Sequence, residues 1–506
     1  MLLEMHCHTA EHSPCSHVDA ASLVKQIFRK GLEGVCFTDH QYLWPQDELK
    51  QLRKRVEVPA YFLILAGQEV STADVGDVLV YGAAKIIAKG TPVAAIRKQY
   101  PEAALVLAHP YRKGRRPGKE QLLNPLFDAI EIFSSNHSVA ENARGLGDWH
   151  RLRFTALAGT DTHAASYAGA YPTLFDHPIE TIQELVAELK KGRCRPFFKE
   201  IPKAGATARV DEITIGTKGE NEQRERIVVR RFEDTEKWQS AERAFHITEE
   251  IASRGFDKGR YRVPRLIEQD RENMMVIEEG LRGNSLFEKL IRSDKADARF
   301  FVQLSAEWLA KLHNLHLQIT PPEEFLEQEP QRLQHYLAHF EDIKHFHAHR
   351  AREIEETIEK AEITLFKDHP DQLVQGHGDF HPKNIYIGQD SAHRRETLYV
   401  AAIDFNSSYC LPTAFDVGTF LAQFHNQLLP YPEVLETLPE DIFLDAYLSA
   451  AATKNGGFLS QVELFRARTD LNIAAFLIRL GLGESENLWR LLVEAEEALT
   501  QFELMQ

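Results

Sequence analysis

Met5-His6-Cys7-His8-Thr9 stands near the start of a chain of 506 residues. His6 and His8 are two residues apart, so on a strand both imidazoles point to one face. Two rings side by side make a poor core and a good metal clamp, which hard carboxylates would complete. The residues up to His163 repeat this chemistry at the ends of apolar runs. Gly34-Val35-Cys36-Phe37 runs into Thr38-Asp39-His40, and the run 61–66 leads to Gly67-Gln68-Glu69. The run 105–108 reaches His109-Pro110, 129–133 reaches Asn136-His137, and 155–158 reaches Gly159-Thr160-Asp161-Thr162-His163. Helical periodicity occupies 20–30, 46–56 and 180–191, and 77–81 is a further apolar run. Short apolar strands alternating with helices predict a parallel sheet covered by helices. In barrels of this kind chemistry collects where the strands end. A merely solvated surface would favour Lys and Glu on helices. Imidazoles and carboxylates at successive strand ends therefore read as ligands around one cavity, enough for two or three divalent ions, with Glu69 and Asp161 placed to lie between them.

Composition bounds the rest. A chain of this length exceeds one ordinary core, and 43% hydrophobic with 26% charged residues describes a soluble globular protein. The net charge of -16 argues against non-specific binding to long nucleic acid. One basic loop, Arg112-Lys113 with Arg115, Arg116 and Lys119, follows His109 and is suited to attracting phosphate. Five scattered cysteines without a C-x-x-C pair read as reduced thiols. With no signal-like segment and no long apolar run, a cytoplasmic protein without a membrane partner is expected.

His6-Cys7-His8, Thr38-Asp39-His40, Gly67-Gln68-Glu69, Ala108-His109-Pro110 and Gly159-Thr160-Asp161-Thr162-His163, taken in order, resemble the motifs of the PHP (polymerase and histidinol phosphatase) domain family over about residues 1–195. The resemblance implies a distorted (β/α)7 barrel holding two or three ions of Mn, Zn or Fe for phosphoester hydrolysis. By motif position His6, His8, Glu69, His109, Asp161 and His163 are its ligands, His40 serves a third metal, and His137 stands where another ligand is common. The acid usual in the early loop is missing, and Glu11 or His12 is the available substitute.

Gly192 through Ala206 is rich in breakers and small residues, and a boundary between about 196 and 208 follows. Beyond it, strands at 209–216 and 227–232 are joined through Thr217-Lys218-Gly219-Glu220-Asn221, a helix covers 236–254, and a strand covers 274–279. The informative stretch is His377-Gly378-Asp379-Phe380-His381-Pro382-Lys383-Asn384, followed by Ala402-Ile403-Asp404-Phe405. Asp379 could orient and deprotonate a hydroxyl, while Asn384 and Asp404 offer oxygens to a Mg²⁺ on nucleotide phosphates. A D-x₄-N loop, a hairpin and a second Asp bring such oxygens together. These residues, with Phe415-Asp416-Val417-Gly418, resemble the aminoglycoside phosphotransferase family of kinase-like enzymes over about 208–506. That implies a bilobal α+β fold, catalytic Asp379, a structural Asp416, and Mg²⁺ with ATP or GTP. Arg230 in Ile227-Val228-Val229-Arg230 stands where the family carries its phosphate-pairing lysine, with Glu242 as the expected acidic partner. The exchange is not conservative, because arginine presents a rigid fork.

The expected organisation is a metal-dependent phosphoesterase at 1–196, a linker at 197–207 and a kinase-like domain at 208–506, its small lobe at about 208–283 and its helical lobe at about 284–506. The expected function is bifunctional. The first half would hydrolyse a phosphorylated small molecule or nucleotide, and the second would phosphorylate a small hydroxyl-bearing acceptor. The alternative is a phosphoesterase or nuclease for nucleotides or short oligonucleotides, joined to a nucleotide-sensing or end-phosphorylating module.

Overall fold

The structure, a computed structural model, describes residues 1–203, 208–216, 225–390, 397–452 and 457–506. The expected connection Thr217–Asn221 lies outside the described residues. Two compact units divide the chain: Met1–Phe232 with Ile267–Gly280, and Glu233–Leu266 with Leu281–Gln506.

The first unit is built on nine strands: β1 (Leu2–Glu4), β2 (Gly34–Phe37), β3 (Leu63–Ser71), β4 (Asp77–Tyr81), β5 (Ala104–Leu107), β6 (Ala129–Phe133), β7 (Ala156–Ala158), β8 (Thr173–Phe175) and β9 (Cys194–Pro196). Their order in the sheet is β7-β6-β5-β4-β3-β2-β1-β8-β9. The parallel pairs β1–β2, β2–β3, β5–β6 and β6–β7 follow the expected alternation. β4 departs from it and runs antiparallel to both neighbours. The short turn after Ser71, closed by Thr72 N–H on Gly76 O at 2.9 Å, permits a hairpin and is too short for a crossover. Beyond the strands, Cys7 bridges Thr162 in parallel and Asp161 N donates to His6 O at 2.7 Å. The extensions of β1 and β7 thus meet, and the sheet is a nearly closed barrel whose seam lies at the motif-bearing end.

Helices α1 (Ala20–Arg29), α2 (Gln46–Arg55), α3 (Val93–Gln99), α4 (Lys119–Leu122), α5 (Val139–Leu152) and α6 (Ile182–Lys190) accompany these strands. Their starts are encoded locally. Asp19 accepts from Ser22 N ahead of α1, and full capping boxes open α5 (Ser138, Glu141) and α6 (Thr181, Glu184). α1 buries Leu23, Val24 and Ile27 on one face, the i, i+1, i+4 spacing of an amphipathic helix.

The segment expected as linker is partly strand. β10 (Phe198–Lys203) pairs antiparallel with β11 (Arg209–Ile215), which pairs with β12 (Glu225–Arg231). Strands Met275–Glu279 and Leu266–Asp270 complete a five-stranded sheet. Period-two alternation turns Ile213, Ile215, Ile227 and Val229 to one face, where with Ile267 and Ile277 they share a core with Tyr111, Ile132 and Leu146 of the barrel. The small sheet of the kinase-like half therefore belongs to the same compact unit as the barrel.

The C-terminal half is mixed α+β and resembles a bilobal kinase fold, the five-stranded sheet belonging to the first unit and the remainder to the second. It contains α7 (Thr235–Ile251), a four-stranded sheet with hairpin Ile385–Gln389 and Leu398–Ala402, and long helices including Lys295–His313, Glu323–Asp342, Ala348–Phe366, Thr413–Leu428 and Phe458–Arg479. Among the described residues no helix is long and apolar enough to cross a membrane.

Candidate metal centre and phosphotransfer site

At the barrel's motif-bearing end, ligand atoms of His6, His8, Glu69 and Asp161 lie within 4.8 Å of one another, as do those of His8, His40 and His163, and those of Glu69, Asp77 and His109. His6 Nε2 and His8 Nε2 are 3.2 Å apart. Glu69 Oε2 is 3.0 Å from His40 Nδ1, 3.2 Å from His8 Nε2 and 3.5 Å from His6 Nε2, yet it has no hydrogen bond of acceptable geometry. His109 Nε2 approaches Glu69 Oε1 at 3.1 Å. Glu69 thus lies between two of the groups, and His8 joins the third. His137 belongs to none of these groups; it is buried within electrostatic reach of Glu131 and His109, with Nδ1 engaged by Asn142 and Nε2 buried without a partner. Orphaned buried acceptors are costly in a folded protein. A cation is what these donor atoms fit, and the imidazole-carboxylate set suits borderline divalent ions.

The surroundings pre-set each ligand. Glu131 accepts from His6 Nδ1 at 2.9 Å and from His109 N at 2.8 Å, leaving His6 Nε2 as the metal-facing atom. Asp39 accepts from Thr9 N, Ser13 Oγ and Trp44 Nε1, fixing the loop under His8 and His40. Asn136 donates to Asp161 Oδ2 at 2.7 Å, and Arg112 Nη1 reaches the same oxygen at 3.3 Å. Burial opposes charge on His6, but Glu131, Asp161 and Glu69 outweigh it and raise its pKa well above the ordinary value. Burial likewise opposes charge on His8, but its bond to Asp161 and the nearby Glu69 carboxylate lift it to about 9. Burial would raise Glu69 and Asp161; facing imidazoles, His6 first, hold both well below the carboxylate range. At His40, His137 and His163 burial prevails and lowers the pKa, favouring the neutral ring that a metal needs. Glu11 and His12 are drawn elsewhere: Glu11 accepts from Ala20 N at the start of α1, and His12 bonds Glu48 and stacks on Tyr42.

In the second unit the loop 377–384 is held from beneath by Asp416, fully buried, which accepts from His377 N at 2.7 Å and Gly378 N at 2.8 Å. Gly378 is obligatory: its φ is +79°, and a Cβ there would lie 1.8 Å from Ser407 O. Asn384 Nδ2 donates to Asp379 Oδ2 and O, both at 3.1 Å. Ile403 N donates to Asn384 O at 2.9 Å, and the hairpin register Ile385↔Ala402 sets Asn384 opposite the approach to Asp404. Asp404 itself has φ +69° and is bonded by Asn406 Nδ2. Burial works to raise the pKa of Asp379, but His381, His377 and Asn384 hold it below the ordinary value.

Residues 204–452 match the model of the phosphotransferase enzyme family (APH), and residues 141–194 match the PHP-associated model. The chain is a PHP-like metal-binding domain fused to an APH/kinase-like domain. Metal clusters and family match make it a metal-dependent phosphoesterase and a phosphotransferase. Among solved structures it is similar to PsfC from Pseudomonas syringae, with 18% identity, TM-score 0.32, and 39% of this chain and 91% of that one covered. Ethanolamine kinase of Plasmodium vivax (16%, TM-score 0.41, coverage 61% and 84%) and choline kinase of Cryptosporidium parvum (14%, TM-score 0.41, coverage 60% and 89%) are also similar. No curated protein matches the sequence.

Sequence reasoning missed Asp77, Glu131, Asn142 and Asp39's anchoring role. Glu131 carried a signal, a lone acid within the apolar strand Ala129-Ile130-Glu131-Ile132-Phe133. Asp77 carried none, since its approach to His109 (3.8 Å) depends on the unforeseen hairpin. On β12, Arg230 donates through Nε and Nη2 to Glu278 Oε1 of the adjacent strand at 3.1 and 2.9 Å; Glu242, its expected partner, lies on α7.

Proposed function

We propose that the barrel hydrolyses small phosphoesters and that the kinase-like half phosphorylates a small-molecule hydroxyl from ATP or GTP. The observation that carries the first activity is the convergence of His6, His8, Glu69 and Asp161 on one point, with Glu69 Oε2 lacking a hydrogen bond. Divalent ions held there would lower the pKa of water and neutralise phosphate charge. The chain's own part is positional. Glu131 keeps the His6 tautomer, Asn136 fixes Asp161, and Arg112, beside Asp161 and over a third exposed, is placed to take a substrate phosphate oxygen. In the second half Asn384 and Asp404 would hold Mg²⁺, and Asp379, kept ionised by His381 and Asn384, would orient the acceptor hydroxyl and take its proton. Arg230 would meet the nucleotide phosphates. The limits 1–196 and 208–506 belong to this reading as limits of activity rather than of packing, as do Mn, Zn or Fe in the barrel.

Elemental analysis of the purified chain should find at least two transition-metal equivalents. Asp161→Ala should lose one with nearly all hydrolysis while melting normally. A metal-free wild type that still hydrolyses phosphoesters would sink the barrel assignment. A phosphometabolite panel with Mn²⁺, run with and without ATP, separates small monoesters from nucleotides and short oligonucleotides. His8→Ala should abolish hydrolysis and spare nucleotide-dependent transfer, and Asp379→Ala should do the reverse; loss of one shared activity in both would refute two sites.

A further inference from the structure

Asn142 of α5 is fully buried between the metal centre and the small sheet. Its Oδ1 accepts from Ser134 N at 3.1 Å, which only an oxygen can do. Its Nδ2 faces Glu225 Oε2 at 2.7 Å and Ser134 O at 3.4 Å, both acceptors. The amide orientation is therefore fixed at both ends. Oδ1 is also 3.0 Å from His137 Nδ1, so that nitrogen must carry the hydrogen. His137 Nε2 is then left with its lone pair, buried and without a partner. The carboxylate at the far end of this chain of contacts belongs to the first residue of β12, the strand that also carries Arg230.

We propose that Glu225, a residue of the kinase-like sheet, acts through Asn142 as a positioning residue of the barrel's metal centre. Without Glu225, the amide keeps only the long contact from Nδ2 to Ser134 O, and the His137 ring loses the brace that aims Nε2. Removal of such outer partners typically costs ten- to hundredfold in metal affinity. The effect should fall on an ion that the unpartnered His137 Nε2 would help to hold, and the position formed by His6, His8, Glu69 and Asp161 should keep its ion. By linkage, whatever moves β12 would be felt at that position, and metal there would be felt in β12.

This inference rests on the metal-centre reading above and deepens it. The test titrates Mn²⁺ into the chelator-stripped full chain, following bound metal by equilibrium dialysis and spin coupling by electron paramagnetic resonance. Wild type should bind a coupled pair. Glu225→Met, close in shape but unable to accept strongly, should bind one ion ten- to hundredfold more weakly and show the six-line signal of isolated Mn²⁺ at intermediate loading. Glu225→Gln, which can still accept from Asn142, should stay near wild type. Asn142→Leu breaks the bridge from its other end and should lose the same ion. Glu225→Met indistinguishable from wild type, Glu225→Gln falling as far as Glu225→Met, or equal weakening of every bound ion would each overturn the link. A wild type that binds no Mn²⁺ would overturn the metal centre itself, which separates the two failures.

Discussion

Arg230 is the residue at which this chain departs most from its second resemblance, and the structure changes what its replacement should do. Its guanidinium spends Nε and Nη2 on Glu278, a two-pronged contact that an ammonium group cannot copy. If the same group meets nucleotide phosphate, truncation removes a charge-assisted contact of roughly 1.5–3 kcal/mol, about a ten- to hundredfold effect. Arg230→Ala should therefore weaken Mg-nucleotide binding by that factor and leave the metal content of the barrel unchanged. Arg230→Lys should recover only part of the loss, because one point charge must choose between Glu278 and the phosphates. Calorimetric titration of Mg-ATP into the three proteins checks this. Equal affinities would show that Arg230 never meets the nucleotide.

Among the elements, three helices of the second unit carry a buried charge cluster with its own pH signature. Glu329 (helix 323–342) pairs with Arg468 (helix 458–479), while Glu362 (helix 348–366) is buried with Oε1 unpartnered. Burial first, and the Glu329 carboxylate second, push the pKa of Glu362 well above its ordinary value. The folded protein then keeps a proton that the unfolded chain releases. Stability should fall as pH rises from the ordinary glutamate value, 4.5, toward the raised one. The slope is at most about 1.4 kcal/mol per pH unit. Glu362→Gln should melt higher than wild type at pH 8 and nearly level with it at pH 5; a constant difference across that range would refute the assignment. This cluster was not legible in sequence, since Glu362 sits in a helix that reads as charged throughout. What was legible had short-range causes. Ala20–Arg29 and Gln46–Arg55 follow from periodicity, and the Asn384-to-Asp404 hairpin follows from two runs around a polar gap. The strand at 198–203 was hidden because Pro196, Pro202 and the small residues after it mimic a linker, while its pairing with β11 is tertiary.

At the scale of the molecule, family boundary and packing boundary differ. The APH match begins at residue 204, yet the small sheet is grouped with the barrel. Ile213, Ile215, Ile227, Val229, Ile267 and Ile277 are each at most 8% exposed, in one cluster with Tyr111, Ile132 and Leu146. Fully burying an aliphatic side chain is worth about 1.5–3 kcal/mol, so six amount to roughly 9–18 kcal/mol as an upper estimate. Even half of that rivals the whole stability of a typical domain, about 5–15 kcal/mol. Polar contacts point the same way: Asn142 bonds Glu225, and Arg151 of α5 reaches Asp270 at 3.5 Å. A fragment 208–506, cut where the motifs suggest, would strip β10 from the sheet and bare this apolar face to water. It should be poorly soluble or melt well below the full chain, and a 1–203 fragment should bind the apolar dye ANS through the complementary surface on α5 and β6. In the intact protein, hydrogen exchange should protect β12 to the same degree as β6, because one core holds both. A soluble 208–506 fragment melting with the full chain, or β12 exchanging freely while β6 stays protected, would show that the sheet leans on the barrel without depending on it.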